Sequence, residues 1–167
     1  MSGAREGEIA LETDPATLVG NSHVVFIGRV NSPWRDKAEC PKNMAAARAS
    51  GQPATVEIDL AYRAGLAGLE RFSHIALLTW LDRSRRDLIV QKPGHAPAAT
   101  GVFSIRSPAR PNPVGLHIAR VLSLDTGNGT ILLEGIDVLD GTPVIDVKPY
   151  FASTDSVPDA SGGEGRK

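Results

Sequence analysis

Cysteine and aromatic residues are scarce in this chain of 167 residues, which has one cysteine and an aromatic content of 5%. The single thiol, Cys40, excludes an intramolecular disulfide framework and a zinc site built from several thiolates. No stretch approaches the ~20 consecutive apolar residues that span a bilayer, and residues 1–8 lack the apolar run of a secretory signal. We therefore expect a soluble protein of a reducing, cytoplasmic compartment without a membrane segment.

Familiar motifs of nucleotide binding and hydrolysis are missing as well. The sequence has no Gly-x-Gly-x-x-Gly after a strand, no phosphate-binding P-loop, no His-Glu-x-x-His and no Ser-centred nucleophile elbow. The histidines lack the spacing of metal ligands; they are His23, His74, His95 and His117. These absences argue against a dinucleotide-binding α/β domain, a triad hydrolase and a metal site.

Short apolar runs rich in β-branched residues recur along the chain and predict strands. The predicted strands are 24–30, 55–60, 73–82, 87–91, 101–105, 116–124, 130–137 and 144–151. Glycine-containing turns are predicted at 127–129 and 140–141, and short helices over 44–49 and 62–71. Short strands with so little helix predict a mainly β protein, a small closed or nearly closed β-barrel. We expect one domain over residues 1–160 and a flexible tail over 161–167.

Two segments have a composition that sets them apart. The run 73–82 is almost wholly apolar, which predicts a central strand buried on both faces. Asp82 follows its apolar part, where the end of a strand can line the opening of a site. The long connection 31–52 has weak strand character, and such segments are often functional loops.

The net charge of −1 conceals a basic segment. Between Arg83 and Arg120 there are seven basic residues and one acid, Asp87, so this segment carries +6 and the rest of the chain −7. Such segregation favours an anionic partner, with phosphate as the leading candidate. A solvated basic edge is the alternative reading.

A proline-rich loop, residues 103–116, is the most informative part of the sequence. Its prolines at 108, 111 and 113 each fix φ at about −65° and push the preceding residue into extended conformations. The stiff backbone would present Arg106, Arg110 and Asn112 to a polar ligand at a small entropic cost. The alternative is a rigid connector with solvated arginines.

The last predicted strand alternates, so that Asp146, Lys148 and Tyr150 share one face. Asp137 lies just upstream of this strand. One interpretation is an outer strand with a surface Asp–Lys pair, which contributes little to stability. The other places these polar residues on the rim of a pocket.

Five segments, taken in order, resemble the TrmO/YaeB family, which includes VirR-type members. The longest are Arg-Ser-Pro-Ala-Arg-Pro-Asn-Pro-Val-Gly at 106–115 and Asp-Gly-Thr-Pro-Val-Ile-Asp-Val-Lys-Pro-Tyr at 140–150. Shorter matches are Leu-Glu-Arg-Phe-Ser-His at 69–74, Phe-Ile-Gly-Arg-Val-Asn-Ser-Pro at 26–33 and Ser-Val-Pro-Asp-Ala at 156–160. The resemblance therefore spans roughly residues 24–160.

This resemblance implies an S-adenosylmethionine-dependent tRNA methyltransferase. Members fold as a small β-barrel, unlike the Rossmann-type methyltransferases, and form homodimers with the cofactor near the subunit interface. The implied reaction is methyl transfer to the exocyclic nitrogen, N6, of threonylcarbamoyladenosine beside the tRNA anticodon. No metal is implied.

The resemblance also implies site residues, in two groups. The cofactor contacts would be Lys42, Asn43, Met44, Leu81, Asp82, Arg106, Leu116, Glu134, Gly135, Ile136 and Asp137. The substrate contacts would be Arg83, Arg85, Arg86, Arg110, Asn112 and Tyr150. The acceptor nitrogen must lose a proton, and Asp146, paired to Lys148, is the candidate acceptor of that proton.

Two departures from the family bear on the substrate. The stretch 83–99 has no tryptophan, whereas longer members have a tryptophan-containing segment there, and we expect no counterpart of the further C-terminal domain of larger bacterial members. Two alternatives therefore stay open. One is a methyltransferase with a different acceptor, and the other is a non-catalytic barrel that binds nucleic acid or senses the cofactor.

Overall fold

A computed structural model describes residues 6–7, 9–10, 24–93 and 97–162 of the chain. Within these residues the strands are β1 Ile9–Ala10, β2 Gly28–Asn31, β3 Ala54–Ile58, β4 His74–Trp80, β5 Leu88–Gln91, β6 Thr100–Gly101, β7 Val114–Asp125, β8 Thr130–Leu133 and β9 Pro143–Pro149. The helices are α1 Met44–Ala49 and α2 Ala152–Asp155, with 3₁₀ helices at Leu60–Leu66, Leu69–Arg71 and Val102–Ser104. The mainly β class predicted from the sequence is confirmed.

Six strands close into a barrel in the order β2–β3–β8–β7–β4–β9. Strand β9 completes the closure, because Gly28 of β2 pairs with Val144 at the start of β9. The same strand pairs along β4 from Ile75 onward. The remaining strands form a separate three-stranded sheet in the order β1–β5–β6. The predicted barrel is therefore present, but it uses six of the strands rather than all of them.

The core fills the barrel interior through the alternation of each strand. On β4, Ile75, Leu77 and Thr79 are fully buried and point inward, whereas the residues between them are half-buried. The expectation that 73–82 is buried on both faces is wrong, because a strand in a barrel has one inner and one outer face. The outer face of β4 is nevertheless apolar, which produced the misleading continuous run.

Two predicted elements have a different conformation in the structure. The strand predicted over 101–105 is the two-residue β6 followed by a 3₁₀ turn. There the Ser104 hydroxyl donates to the Gly101 carbonyl at 2.7 Å, a local bond that competes with strand pairing. The helix predicted over 62–71 is two 3₁₀ helices separated at Gly68, whose φ of 88° is left-handed.

The remaining turns and the short helix follow the sequence closely. Helix α1 covers the predicted 44–49, and the Asn43 side chain caps it by accepting from the Ala46 N–H at 2.9 Å. Gly129 and Gly141 adopt positive φ values of 72° and 78° in the two predicted glycine turns. Of the predicted tail, residues 163–167 lie outside the described residues, as do His23 and His95. Among the described helices none has the length and apolar character needed to cross a bilayer.

The close packing of β3 against Gly28 of β2 predicts that alanine destabilises the protein more at Gly28 than at a second glycine. A Cβ added at Gly28 would lie 2.0 Å from the Glu57 carbonyl oxygen on β3, and a backbone atom has little freedom to move. We expect Gly28→Ala to lower the free energy of unfolding by about 1–3 kcal/mol, measured by urea denaturation.

The matched control is Gly65→Ala, because nothing lies within 4 Å of a Cβ at that position. Its φ is not left-handed, so we expect a change of at most ~1 kcal/mol, in the stabilising direction. Equal unfolding midpoints for the two variants would contradict this packing of β2 on β3.

Candidate functional site

A cavity of about 550 Å³ opens at one end of the barrel. Five segments line it: the connection after β2 (37–44), the residues that follow β4 (81–84), the proline-rich loop (106–110), the start of β7 (114–117) and the turn after β8 (137–142). Volumes of about 300–1,000 Å³ are usual for small-molecule and cofactor sites. The connection 31–52, expected to be a functional loop, therefore supplies one wall.

Antiparallel pairing of β4 with β7 brings two of these segments together. Trp80 pairs with Val114, so the residues after β4 lie beside the loop that precedes β7. The backbone continues this contact, since the Leu81 N–H donates to the Pro113 carbonyl at 2.8 Å. Asp82, which follows the strand, consequently reaches the mouth of the cavity.

The turn after β8 is fixed to the connection after β2 by polar contacts. The Ser32 hydroxyl donates to the Val138 carbonyl at 2.8 Å, and its N–H donates to Asp140 Oδ1 at 3.0 Å. Trp34 Nε1 donates to the Ile136 carbonyl at 2.8 Å, and Arg35 pairs with Asp140. These bonds hold Asp137, the acid within the turn, against the cavity.

Two arginines hold the proline-rich loop in place. Arg110 Nη2 donates to the Val102 carbonyl at 2.9 Å. Arg86 Nε donates to the Pro111 carbonyl at 2.7 Å, and its guanidinium lies 5.1 Å from the centre of the Trp80 ring. Arg106 differs: it is exposed, lines the cavity, and among the described residues its side chain forms no hydrogen bond or ion pair.

A buried polar chain runs from the barrel interior to the cavity wall. Thr79 Oγ1 lies 2.9 Å from His117 Nε2, and His117 Nδ1 lies 2.7 Å from Asp137 Oδ1. Thr79 and His117 are buried, whereas the Asp137 side chain is 17% exposed. Gly115 packs against this chain, because a Cβ there would lie 2.4 Å from Thr79 Oγ1 and 2.5 Å from His117 Nε2.

Sequence reasoning missed the role of His117 in this chain. The available signal was the alternation of β7, which places His117 on the same inward face as Gly115. Within the described residues no group of three or more His, Cys, Asp or Glu side chains could hold a metal ion. Other cavity residues that the sequence analysis did not assign to a site include Lys37, Cys40, Ser107 and Thr142.

Most of the predicted cofactor contacts meet at the cavity. Those that line it are Lys42, Asn43, Met44, Leu81, Asp82, Arg106, Leu116 and Asp137. Glu134, Gly135 and Ile136 do not line it, although they directly precede Asp137. Ile136 is fully buried in the core, and a Cβ at Gly135 would lie 2.9 Å from the Ala47 carbonyl oxygen of α1. These three residues therefore belong to the segment that leads into the turn and do not form the cavity surface.

The predicted substrate contacts are divided. Arg83 and Arg110 line the cavity, whereas Arg85, Arg86, Asn112 and Tyr150 do not. Arg83 donates to the Asp140 carbonyl at 2.8 Å, and Arg85 forms two hydrogen bonds with Asp87, at 2.8 and 2.6 Å. Hydrogen bonding from Arg85 lowers the pKa of the Asp87 carboxyl. These bonds fix the basic segment.

Asp146 and Lys148 lie outside the cavity lining. Lys148 Nζ is 2.7 Å from Asp146 Oδ2, and the two side chains are 62% and 40% exposed. Asp146 also accepts from the N–H of Val147 at 2.9 Å. This geometry is that of the surface pair considered from the sequence, and the role of Asp146 as a proton acceptor stays a prediction.

Comparisons with known proteins identify the family to which the chain is similar. A sequence-family profile described as tRNA-methyltransferase O N-terminal domain matches residues 29–156. An Archaeoglobus fulgidus protein named as a probable S-adenosyl-L-methionine-binding protein is 38% identical over 138 residues, 82% of this chain and 36% of that protein. A Homo sapiens protein named tRNA (adenine(37)-N6)-methyltransferase is 46% identical over 94 residues, 54% of this chain and 21% of that protein.

The fold is also similar to a solved structure. The crystal structure of TrmO from Pseudomonas aeruginosa matches with a TM-score of 0.70 and 32% identity, covering 88% of this chain and 64% of that one. The chain thus spans about a third of the archaeal relative, about a fifth of the human one and under two thirds of the solved chain.

The cavity environment predicts an unreactive thiol at Cys40. Burial, followed by the nearby charge of Asp137, raises the pKa of this thiol from 9.0 to about 11. Because the thiolate is the nucleophile, alkylation by iodoacetamide at pH 8 should be roughly 100-fold slower than for a free cysteine peptide. The rate should rise tenfold per pH unit through pH ~9.5, measured by mass spectrometry of the Cys40 peptide.

Asp137→Asn serves as the internal comparison for this thiol. Removing the acid should raise the alkylation rate only in part, since burial is the larger cause of the raised pKa. A rate that levels off below pH 9 in the unmodified protein would contradict the partly buried placement of Cys40.

Proposed function

The chain belongs to the tRNA-methyltransferase O N-terminal domain family, and from that membership we propose that it transfers a methyl group from S-adenosylmethionine to a tRNA adenosine. The proposed acceptor is N6 of threonylcarbamoyladenosine beside the anticodon. The observation that supports this most is one cavity lined by both the proline-rich loop and the turn after β8 (the acidic turn, 137–142), which overlap the two longest motifs of the family resemblance.

The residues around the cavity fit the chemistry of S-adenosylmethionine. Leu81, Leu116 and Met44 supply apolar surface for a nucleobase. The carboxylates of Asp82 and Asp137 suit ribose hydroxyls or the ammonium group through charge-assisted hydrogen bonds. Arg106 suits the carboxylate of the amino-acid part, because its guanidinium has no other partner among the described residues.

When bound, S-adenosylmethionine supplies a methyl group activated on a sulfonium. The protein's part is then alignment, since an in-line displacement needs placement more than a covalent nucleophile. The rigid supports described above, the bonded turn around Asp137 and the proline-rich loop, suit this task. The acceptor nitrogen must also lose a proton. The sequence analysis proposed Asp146 as the acceptor of this proton. A second candidate is Asp82, an exposed carboxylate that lines the cavity.

The basic segment supports tRNA as the substrate. Arg83, Arg86 and Arg110 already bond backbone carbonyls, but a guanidinium has five N–H donors and can also meet a phosphate. Together with Arg85 they form the proposed phosphate contacts, with Asn112 and Tyr150 as further proposed substrate contacts. Binding through these residues would weaken steeply with added salt.

Three further proposals follow from the family. The protein acts as a homodimer with the cofactor near the subunit interface; the exposure of Phe103, Val114 and Leu116, at 83%, 38% and 47%, supports an apolar contact there. It works in the cytoplasm, where its proposed substrate is found. The third proposal is that a single domain ends near residue 160; residues 163–167 lie outside the described residues.

A second candidate is a barrel that binds S-adenosylmethionine without catalysis. The name of the Archaeoglobus fulgidus relative favours it, because that name states binding and no reaction. The carboxylates and the arginine at the cavity suit binding as well as they suit transfer. The two candidates differ only in the fate of the methyl group.

Arg106 is predicted to contribute to cofactor affinity. We expect Arg106→Ala to weaken binding of S-adenosylmethionine by about 1–3 kcal/mol, the usual effect of losing a charged hydrogen-bond partner. Isothermal titration measures the dissociation constant. The control is Arg120→Ala, an exposed arginine on β7 that does not line the cavity. Equal weakening by both substitutions, or by neither, would remove Arg106 from the proposed site.

The fate of the methyl group separates the two candidates. Nucleoside mass spectrometry of tRNA from a strain lacking this gene should show unmethylated threonylcarbamoyladenosine, and incubation with the purified protein and S-adenosylmethionine should add one methyl. An unchanged nucleoside with intact cofactor binding would favour the non-catalytic barrel. Methylation of a different nucleoside would keep the enzyme and change its acceptor.

A further inference from the structure

We propose that His117 is a positioning residue that holds the Asp137 carboxylate in its orientation at the cavity, with Thr79 fixing the far side of the imidazole ring. This inference rests on the proposed function, because it assigns His117 to the cofactor site through Asp137. His117 lies in the cavity lining, and its proposed role is exerted through this acid, which its ring contacts. The three residues lie on three different elements: β4, β7 and the turn after β8.

The geometry gives each nitrogen of the ring one partner. Nδ1 lies 2.7 Å from Asp137 Oδ1, and Nε2 lies 2.9 Å from Thr79 Oγ1. An ionised carboxylate only accepts hydrogen bonds, so Nδ1 carries a hydrogen and donates it to Oδ1. In the neutral ring, Nε2 then accepts from the Thr79 hydroxyl. The two contacts together define one tautomer and one ring orientation.

The position of Asp137 explains why this orientation matters. Among the described residues only His117 donates to its carboxylate, and the side chain keeps 17% of its exposure at the cavity wall. With Oδ1 held by the ring, Oδ2 is left for a ligand. Holding the acid in one rotamer before binding removes an ordering cost from the binding step.

The burial of the hydrogen-bonded residues Thr79 and His117 argues against a purely structural role. His117 and Thr79 are 4% and 0% exposed, and burying polar groups is costly unless every partner is satisfied. Apolar residues of similar shape would stabilise a barrel interior as well or better. Thr79 and His117 also leave no room for a side chain at Gly115, where a Cβ would lie within 2.5 Å of both residues.

A double-mutant cycle on ligand binding tests the proposal. The ligand is S-adenosylhomocysteine, which binds without reacting, and isothermal titration gives its affinity for the wild type, Asp137→Asn, His117→Leu and the double variant. We expect each single variant to lose 5- to 50-fold in affinity, and the double variant to lose no more than Asp137→Asn alone. His117→Asn, whose amide nitrogen can take the place of Nδ1, should recover most of the affinity.

A second measurement begins with the unsubstituted protein. Long-range ¹H–¹⁵N spectra of the wild type should show His117 with a hydrogen on Nδ1. Thr79→Val, which keeps the shape and removes the hydroxyl, should shift the Nε2 resonance and leave Nδ1 protonated. Circular dichroism and thermal unfolding check that each variant is folded.

The outcomes separate this inference from the proposed function. No binding of S-adenosylhomocysteine to the wild type overturns the proposed function and this inference with it. If the wild type binds and Asp137→Asn is weak, wild-type affinity in folded His117→Leu overturns the role of His117 alone. Losses that multiply in the double variant, or a His117 ring without a hydrogen on Nδ1, also overturn it.

Discussion

Strand β4 is hydrogen-bonded along both of its edges, to β7 on one side and to β9 on the other. The pairing with β7 sets the end of β4 beside the proline-rich loop. The pairing with β9 sets the turn that precedes β9 on the other flank of the same opening. The register of one strand therefore decides which side chains share the cavity, and a shift by one residue would turn Thr79 from the interior to the outside.

The segments that meet at the cavity differ in charge and are held differently. The turn after β8 contributes Asp137 and is bonded by its backbone carbonyls to Ser32 and Trp34. The proline-rich loop contributes Arg106 and is braced by Arg110 and Arg86. A cavity with acid on one wall and base on another suits a zwitterionic nucleotide ligand. Because hydrogen bonds already hold both walls in place, the walls need little reordering when a ligand binds.

Local sequence was enough for the features that depend on near neighbours. The cap of α1 by Asn43 and the turns at Gly129 and Gly141 each depend on a few consecutive residues. The family resemblance supplied a little under half of the cavity residues, among them Arg106 and Arg110 of its proline-rich motif. The 3₁₀ turn after Gly101 was missed because the hydroxyl of Ser104 competes with pairing, which an apolar pattern does not indicate.

Contacts that depend on the register of the strands could not be predicted from the sequence alone. His117 is 38 residues from Thr79 and 20 from Asp137, so no local spacing reveals their contact. The arginines of the basic segment were expected to face solvent or phosphate, whereas three of them bond backbone carbonyls that only the fold brings near. The family resemblance assigned Ile136 to the cofactor site together with its sequence neighbours, whereas the Ile136 side chain is buried in the core.

The central claim is that the cavity between the proline-rich loop and the acidic turn holds an S-adenosyl nucleotide. A crystal structure of the protein grown with S-adenosylhomocysteine tests it most directly. The account predicts electron density for the ligand in this cavity, with a polar group of the ligand within hydrogen-bond distance of Asp137. Density for the ligand elsewhere on the barrel, with this cavity empty at saturating concentration, would contradict it.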